Sequence, residues 1–290
     1  VVLVLATGRF CVGWGEIATG LGATVQTIDY GDNADVDLAR VADALAADKD
    51  HKIKAVLAVH VDTSTSVLND IQGLRGVLGA VQHPALLMAD CIASLGCDRF
   101  EMDAWGVDVM VAACQKGLMT PAGISFVYFN DKADAARGNC VTTYWDWRPR
   151  TNPEGYWQLF DGTAPTHHLY GLRTALDMIA DEGLEHVWQR HATLARTIWA
   201  AFDAWSTEGP MHLNIADPAK RSHAVTSGGS GAGQGERVRH WCEQQAGLTL
   251  GIGLGREPAD AWFRIGQMGH VNAHMIMGVL GTMQAGLVAL

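Results

Sequence analysis

The 290 residues have no excess of positive charge: 21 Lys and Arg stand against 31 Asp and Glu, a formal net charge of −10. Such a balance argues against a nucleic-acid surface or an anionic-membrane surface. Long apolar runs are missing too, because charged, polar or glycine residues interrupt every hydrophobic stretch before it reaches bilayer length. The six cysteines, at 11, 91, 97, 114, 140 and 242, form no CxxC pair and no Cys/His zinc spacing, so no metal site is expected. Most of them stand in or beside apolar runs, which points to buried, reduced thiols and a cytoplasmic setting. No GxGxxG follows a strand into a helix, which argues against a dinucleotide-binding oxidoreductase. The glycine-rich stretch 227–235 (SGGSGAGQG) lacks the Gly-Lys-Ser/Thr ending of a phosphate loop and reads as a flexible connector. Also absent is an initial Met or charged leader. Val1-Val2-Leu3-Val4-Leu5 reads as the middle of a strand, so the natural protein is expected to begin earlier.

What is present is a 48% hydrophobic chain, long enough for two compact domains. Two short apolar runs, 85–89 and 107–113, are bounded and nearly free of charge, as strands buried on both faces are. The first ends in Asp90, the second in Cys114-Gln115-Lys116-Gly117. An acid and an amine therefore stand past the carboxyl ends of two interior strands, where open α/β sheets collect ligands. That pair suits an enzyme using pyridoxal 5'-phosphate (PLP): the amine holds the cofactor aldehyde and the acid faces the ring nitrogen. An Asp at a strand end is equally an ordinary cap, and a lone Lys is ordinarily solvated.

Further strands are predicted over 1–6, 24–30, 54–62 and 124–129, the last as an antiparallel partner. Helices between them run to Leu21 with Gly22 beyond, from a cap at Asp35 through Leu38, Val41 and Leu45, and along Leu68, Ile71, Leu74, Leu78 and Val81. This alternation predicts an α/β layer. The longest helical pattern, 170–205, is divided at Gly183, which places a boundary between a large domain (1–183) and a small one (184–290). His191 lies on the apolar face of that pattern and reads as a satisfied core histidine. Tyr144, Trp145, Trp147, Tyr156, Trp157 and Phe160 crowd among Arg, Pro and Asn residues, the composition of an interface, a pocket mouth or loop packing. Arg264 sits inside the apolar run Trp262-Phe263-Arg264-Ile265, where it requires an anion or water. A guanidinium grips a carboxylate at two points, so a ligand carboxylate and a structural ion pair are both open.

Three segments occur together here: Ser94-Leu95-Gly96, Gly106-Val107-Asp108 and Cys114-Gln115-Lys116. With them the chain resembles, over essentially its whole length, the class V aminotransferases of PLP fold type I, in the branch that uses glyoxylate. The resemblance implies a mostly parallel seven-stranded sheet in a large domain and a small α+β domain. It also implies PLP as cofactor, with Lys116 holding it and moving the substrate proton, and Asp90 at the ring nitrogen. Phe10 stacks on the ring in that family, the Ser64 hydroxyl lies near the ring oxygen, Ile92 and Gln115 adjoin the cofactor, and Arg264 takes the substrate carboxylate. His60 opens the motif that contains Ser64 and reads as a structural, hydrogen-bonded histidine. A Tyr and a Thr three apart reach the phosphate of the partner subunit's cofactor; here the positions are Phe160 and Thr163, so only Thr163 is carried over.

A homodimer with a shared site follows by resemblance, as do substrates that are small amino acids and oxo acids. The implied reaction moves an amino group from aspartate, serine or alanine to glyoxylate, giving glycine. No side-chain carboxylate clamp is identifiable, so the donor stays open. The same scaffold serves cysteine desulfurases and lyases, which is the first alternative. The second is an inactive chain, because the family's Ser-Gly phosphate loop precedes the first residue.

Overall fold

The computed structural model describes residues 1–138 and 141–290, so Cys140 lies outside the described residues. In chain order the first half runs β1 (Val2–Ala6), α1 (Arg9–Gly20), β2 (Val25–Asp29), α2 (Leu38–Ala47), β3 (Ala55–Val59), β4 (Val61–Asp62), β5 (Val67–Leu68), α3 (Ile71–Ala80), β6 (Leu86–Asp90), β7 (Val109–Ala113) and β8 (Ser125–Phe129). Two short helices, α4 (Asp131–Ala135) and α5 (Arg148–Thr151), lead to the long pair α6 (Thr166–Glu182) and α7 (Leu184–Glu208). The remainder is β9 (His212–Leu213), β10 (Val225–Gly229), α8 (Gln234–Ala246), β11 (Gly251–Ile252), β12 (Trp262–Gly266) and α9 (Ala273–Ala289).

The first half builds one sheet of order β2-β1-β3-β6-β7-β8, parallel throughout except for β8, which runs antiparallel to β7. Its inner strands, β1, β3, β6 and β7, are apolar on both faces. Leu3 and Leu5 join Val41, Leu45, Leu74 and Leu78 in a core under α2 and α3. Val4 and Ala6 point the other way, with Leu57 and Val59, against Cys11 and Trp14 of α1. Helices on both faces of a parallel sheet are the arrangement such continuous apolar runs require. The second core lies under the antiparallel sheet β11-β12-β10-β9 and joins Ile198 and Phe202 of α7, Cys242 of α8, Phe263 of β12 and Met283 of α9. No helix of the described residues is long and apolar enough to cross a membrane.

Four expectations are corrected. Among the described residues the large sheet has six strands, not seven. β4 and β5 form a separate two-stranded sheet, with one isolated bridge from Val67 to Arg221, and among the described residues the outer edge of β8 carries no further strand. The cap of α2 is Asp37, whose carboxylate accepts from the Ala39 N–H, whereas Asp35 pairs with Lys220. The stretch 227–235 is no connector: its first three residues complete β10, a fully buried inner strand. Glycine is needed there because a Cβ on Gly228 would strike the Phe202 ring. His60 is buried as expected but not bonded as expected: it packs on Phe100 and Trp105, and its Nδ1 has no hydrogen-bond partner among the described residues.

His191 conforms to its reading. Its Nδ1–H donates to Val187 O at 2.7 Å and its Nε2 accepts from Gly269 N at 3.1 Å, a pattern that requires the neutral ring. Gly183, with φ +86°, ends α6 and precedes α7.

Candidate active site

The order β2-β1-β3-β6 means that the chain leaves β1 towards β2 on one side and leaves β3 towards β6 on the other, and a crevice opens at the carboxyl ends where these connections part. Three loops there carry Gly8–Phe10 after β1, Asp62–Ser64 after β3, and Asp90–Ile92 at the end of β6. The loop after β7 carries Gln115 and Lys116. A cavity of about 860 Å³ occupies the crevice. Phe10, Asp90 and Ile92 line it together with Gly8, Arg9 and Val111, and Gly255 closes it from the second half of the chain. The Phe10 ring is 42% exposed, an unusual state for a phenylalanine at the start of a helix that packs on a sheet.

Asp90 stands at the register position that meets Val59 on one side and Val111 on the other, so its carboxylate emerges between two apolar strands. Its Oδ1 accepts from the Ile92 N–H at 2.8 Å. Burial raises its pKa from 3.8 to about 6; the Ile92 bond opposes the rise and the Asp62 charge adds to it.

The motif residues around Lys116 have a steric logic. Gly96 takes φ +81°, and a Cβ there would lie 3.4 Å from the Gly117 backbone. A Cβ on Gly117 would in turn strike the Leu95 carbonyl. Two glycines thus let the loop after β6 and the loop after β7 touch backbone to backbone. Lys116 is held beside the Asp90 loop by that contact, on a turn closed by Met119 N–H to Lys116 O at 3.0 Å. None of the ion pairs among the described residues involves Lys116. Gln115 beside it is exposed.

Ser64 is buried, and its hydroxyl both accepts from the Arg9 N–H at 3.0 Å and donates to Asp62 Oδ1 at 2.6 Å. Arg264 reaches the same loop. Its Nη1 donates to Thr63 O at 3.1 Å and its Nε to Ile252 O at 2.8 Å. Among the described residues Arg264 forms no ion pair: neutral carbonyls hold this guanidinium and leave part of its fork uncommitted.

Phe10, Asp90 and Ile92 are therefore brought to one cavity, and Ser64 and Arg264 to one adjoining loop. Thr163 is exposed, between Gly162 and Ala164, and is not among the residues lining the cavity. Phe160 lies in a separate groove of about 480 Å³, with Phe126 and Tyr128 of β8, Tyr144, Trp145 and Arg150.

Asp62 escaped the sequence reading. Its side chain is fully buried, with Oδ2 accepting from Phe10 N at 2.9 Å and Cys11 N at 3.3 Å, and Oδ1 from Ser64 N at 3.0 Å. The available signal was an acid just past the apolar run 55–59, because a buried carboxylate must find several donors.

Residues 4–271 match the family model described as aminotransferase class-V. The chain is 35% identical to the serine–glyoxylate aminotransferase of Methylorubrum extorquens, over 99% of this chain and 72% of that protein. It is 34% identical to the L-aspartate–glyoxylate aminotransferase of Paracoccus denitrificans, over 97% and 70% respectively. The solved alanine–glyoxylate aminotransferase of Nostoc sp. superposes with a TM-score of 0.87 at 27% identity, covering 99% of this chain and 74% of that one. The α/β fold, with its mostly parallel sheet, is the fold type I of these enzymes. On the family match, the identities and the superposition together, this chain belongs to the class-V aminotransferase family.

Proposed function

We propose that the chain is a PLP-dependent aminotransferase that moves an amino group from a small amino acid to glyoxylate, giving glycine. The observation that carries this reading is the joint lining of one cavity by a half-exposed Phe10 ring and the largely buried Asp90 carboxylate, beside a loop bearing Lys116. A flat aromatic surface and an anion in one crevice fit a planar heterocycle with a protonated nitrogen. The names of relatives at 34–35% identity supply glyoxylate as acceptor.

When bound, PLP supplies a conjugated ring that takes up the electron pair left at the substrate carbon. Asp90 keeps a negative charge against the ring nitrogen and so favours its protonated form. Phe10 would hold the ring plane, and the Ser64 hydroxyl, its proton committed to Asp62, would lie near the ring oxygen. Ile92 fixes the Asp90 carboxylate through its N–H, and Gln115 borders the ring at the next loop. Arg264 takes the donor's α-carboxylate in its fork, which orients the Cα proton towards Lys116. Lys116 would hold the cofactor aldehyde, and its amine, once released by the donor, would take up the Cα proton and hold it for redelivery. Thr163 serves the site of a second subunit in a homodimer, a reading supported by exposed Tyr144 and Trp145 in the groove beside β8. Two separate cores support a boundary at Gly183. A cytoplasmic setting rests on the free, buried thiols.

A cysteine desulfurase gains no support from the described cysteines. Cys11, Cys91, Cys97, Cys114 and Cys242 are all buried, and burial pushes the Cys11 and Cys97 thiols up to about 12, far from a reactive thiolate. The test is direct. Protein supplied with PLP and glyoxylate is given serine, alanine or aspartate in turn, and glycine is measured with the matching oxo acid. Equimolar formation of both, lost in Lys116→Ala, is expected. Glycine formation that survives Lys116→Ala, or none with any donor, overturns the reading.

A further inference from the structure

Asp62 lies behind the cavity rather than in it, and the residues it binds are those proposed to touch the ring. Four donors converge on its two oxygens. Phe10 N and Cys11 N, at the start of α1, share Oδ2 at 2.9 and 3.3 Å. Ser64 N and Ser64 Oγ share Oδ1 at 3.0 and 2.6 Å. The Ser64 hydroxyl then accepts from Arg9 N, so acid and hydroxyl together stitch the β3 loop to the first turn of α1. Space is tight enough that a Cβ on Gly8 would stand 2.6 Å from the Asp62 carboxyl carbon and 2.7 Å from Ser64 Oγ. Glycine before α1 is thus a condition of the stitch. On its far side the loop is tied to the antiparallel sheet by Arg264 at Thr63 O and by Ser227 Oγ at Ser64 O, 3.4 Å.

We propose that Asp62 is a positioning residue of this site: its buried carboxylate sets the spacing between the Phe10 ring and the Ser64 hydroxyl, and places a second acid behind Asp90. A helix cap alone would need only the first pair of bonds. The second pair, to Ser64 of its own loop, fixes that hydroxyl on the carboxylate that holds the start of α1, and so makes the cap a gauge between two walls of the cavity. The charge works on both functional ions near it, since Asp62 raises the pKa of Asp90 and opposes the fall that burial imposes on Arg264. The other titratable side chains lining the cavity, Arg9, Glu16, Asp29 and Asp32, are exposed and therefore screened by solvent.

The test compares wild type, Asp62→Asn and Asp70→Asn. Asp70 caps α3 through Gly73 N at 2.7 Å, so it controls for the loss of a helix cap away from the cavity. The first readout needs no cofactor: with carbon-13-labelled aspartate, the Asp90 carboxyl is followed through its titration. Removing a like charge makes Asp90 easier to ionise, so its midpoint moves to lower pH in D62N and stays in D70N. Amide exchange at Phe10 and Ser64 speeds up in D62N only. The second readout is PLP affinity, expected to weaken in D62N by roughly tenfold to a hundredfold, the effect of a small misplacement of binding groups.

An unchanged Asp90 midpoint in a folded D62N, with only stability reduced, overturns the proposal. If D62N does not fold, wild type alone decides, because coupled acids make the Asp62 resonance inflect at the Asp90 midpoint; no inflection overturns it. The affinity readout rests on the PLP reading. A wild type that binds no PLP overturns that reading, and the titration still judges this one.

Discussion

Replacing Asp90 by Asn is predicted to make the cofactor-free protein more stable at neutral pH. The carboxyl titrates near 6 in the folded chain, against 3.8 ordinarily, chiefly because it is buried between strands. A folded-state pKa above the unfolded value means that the folded chain holds the proton more tightly. The stability associated with that proton is fully present below about pH 3.8 and is lost as pH rises through about 6. At ~1.4 kcal/mol per pH unit, the displacement corresponds to about 3 kcal/mol by pH 8, an upper bound because the carboxylate keeps some solvent contact. Asn retains an oxygen to accept from Ile92 N–H but carries no charge to desolvate. Urea unfolding of both proteins at pH 5 and pH 8 measures the effect. The wild type should lose stability between the two relative to D90N, and D90N should be the more stable at pH 8. A stability difference that is the same at both pH values would refute the reasoning. The site keeps an ionised acid at a cost to the fold, as expected of a residue retained for a ligand cation.

Three further outcomes follow from geometry. Ser66 is buried at φ +63°, a left-handed conformation that costs a residue with a Cβ about 1–2 kcal/mol. After the greater unfolded-chain entropy of glycine is deducted, Ser66→Gly should raise the urea midpoint by the equivalent of up to about 1 kcal/mol, and a lowered midpoint contradicts this. Gly228→Ala pushes a methyl group against Phe202 and Phe263, and should cost roughly 1–3 kcal/mol by the same assay; a neutral effect would mean that the two rings yield freely. Arg264→Lys keeps the charge but loses the fork, so the KM for the amino donor should rise roughly tenfold or more with a smaller change in kcat. An unchanged KM would remove Arg264 from carboxylate binding.

Local patterns made much of this legible from the chain itself. The runs ending at Asp90 and before Lys116 announced themselves as interior strands because they were short, apolar and sharply bounded, and the α/β alternation followed. His191 was readable because an apolar helix face leaves a histidine only backbone partners. Glycine was the weak point. The stretch 227–235 looked flexible, yet Gly228 makes room for the Phe202 and Phe263 rings, and Gly229 for His212 and Trp262, from elements far along the chain, which no local pattern reveals. The choice between Asp35 and Asp37 as cap turned on two residues of register, and Lys220 claims the former from 185 positions away. Asp62 was invisible for the same reason: two of its donors come from residues 51 and 52 positions earlier. The strand count of the large sheet came only by resemblance, and the pairing along β8 corrects it.

The central claim is that the loop after β7 presents Lys116 to PLP. Protein incubated with PLP is reduced with borohydride, digested and examined by mass spectrometry for the lysine that carries a pyridoxyl group. The account predicts that group on Lys116, and its removal when a donor amino acid is added before reduction. A pyridoxyl group on another lysine, or spread over exposed lysines and indifferent to the donor, would contradict it.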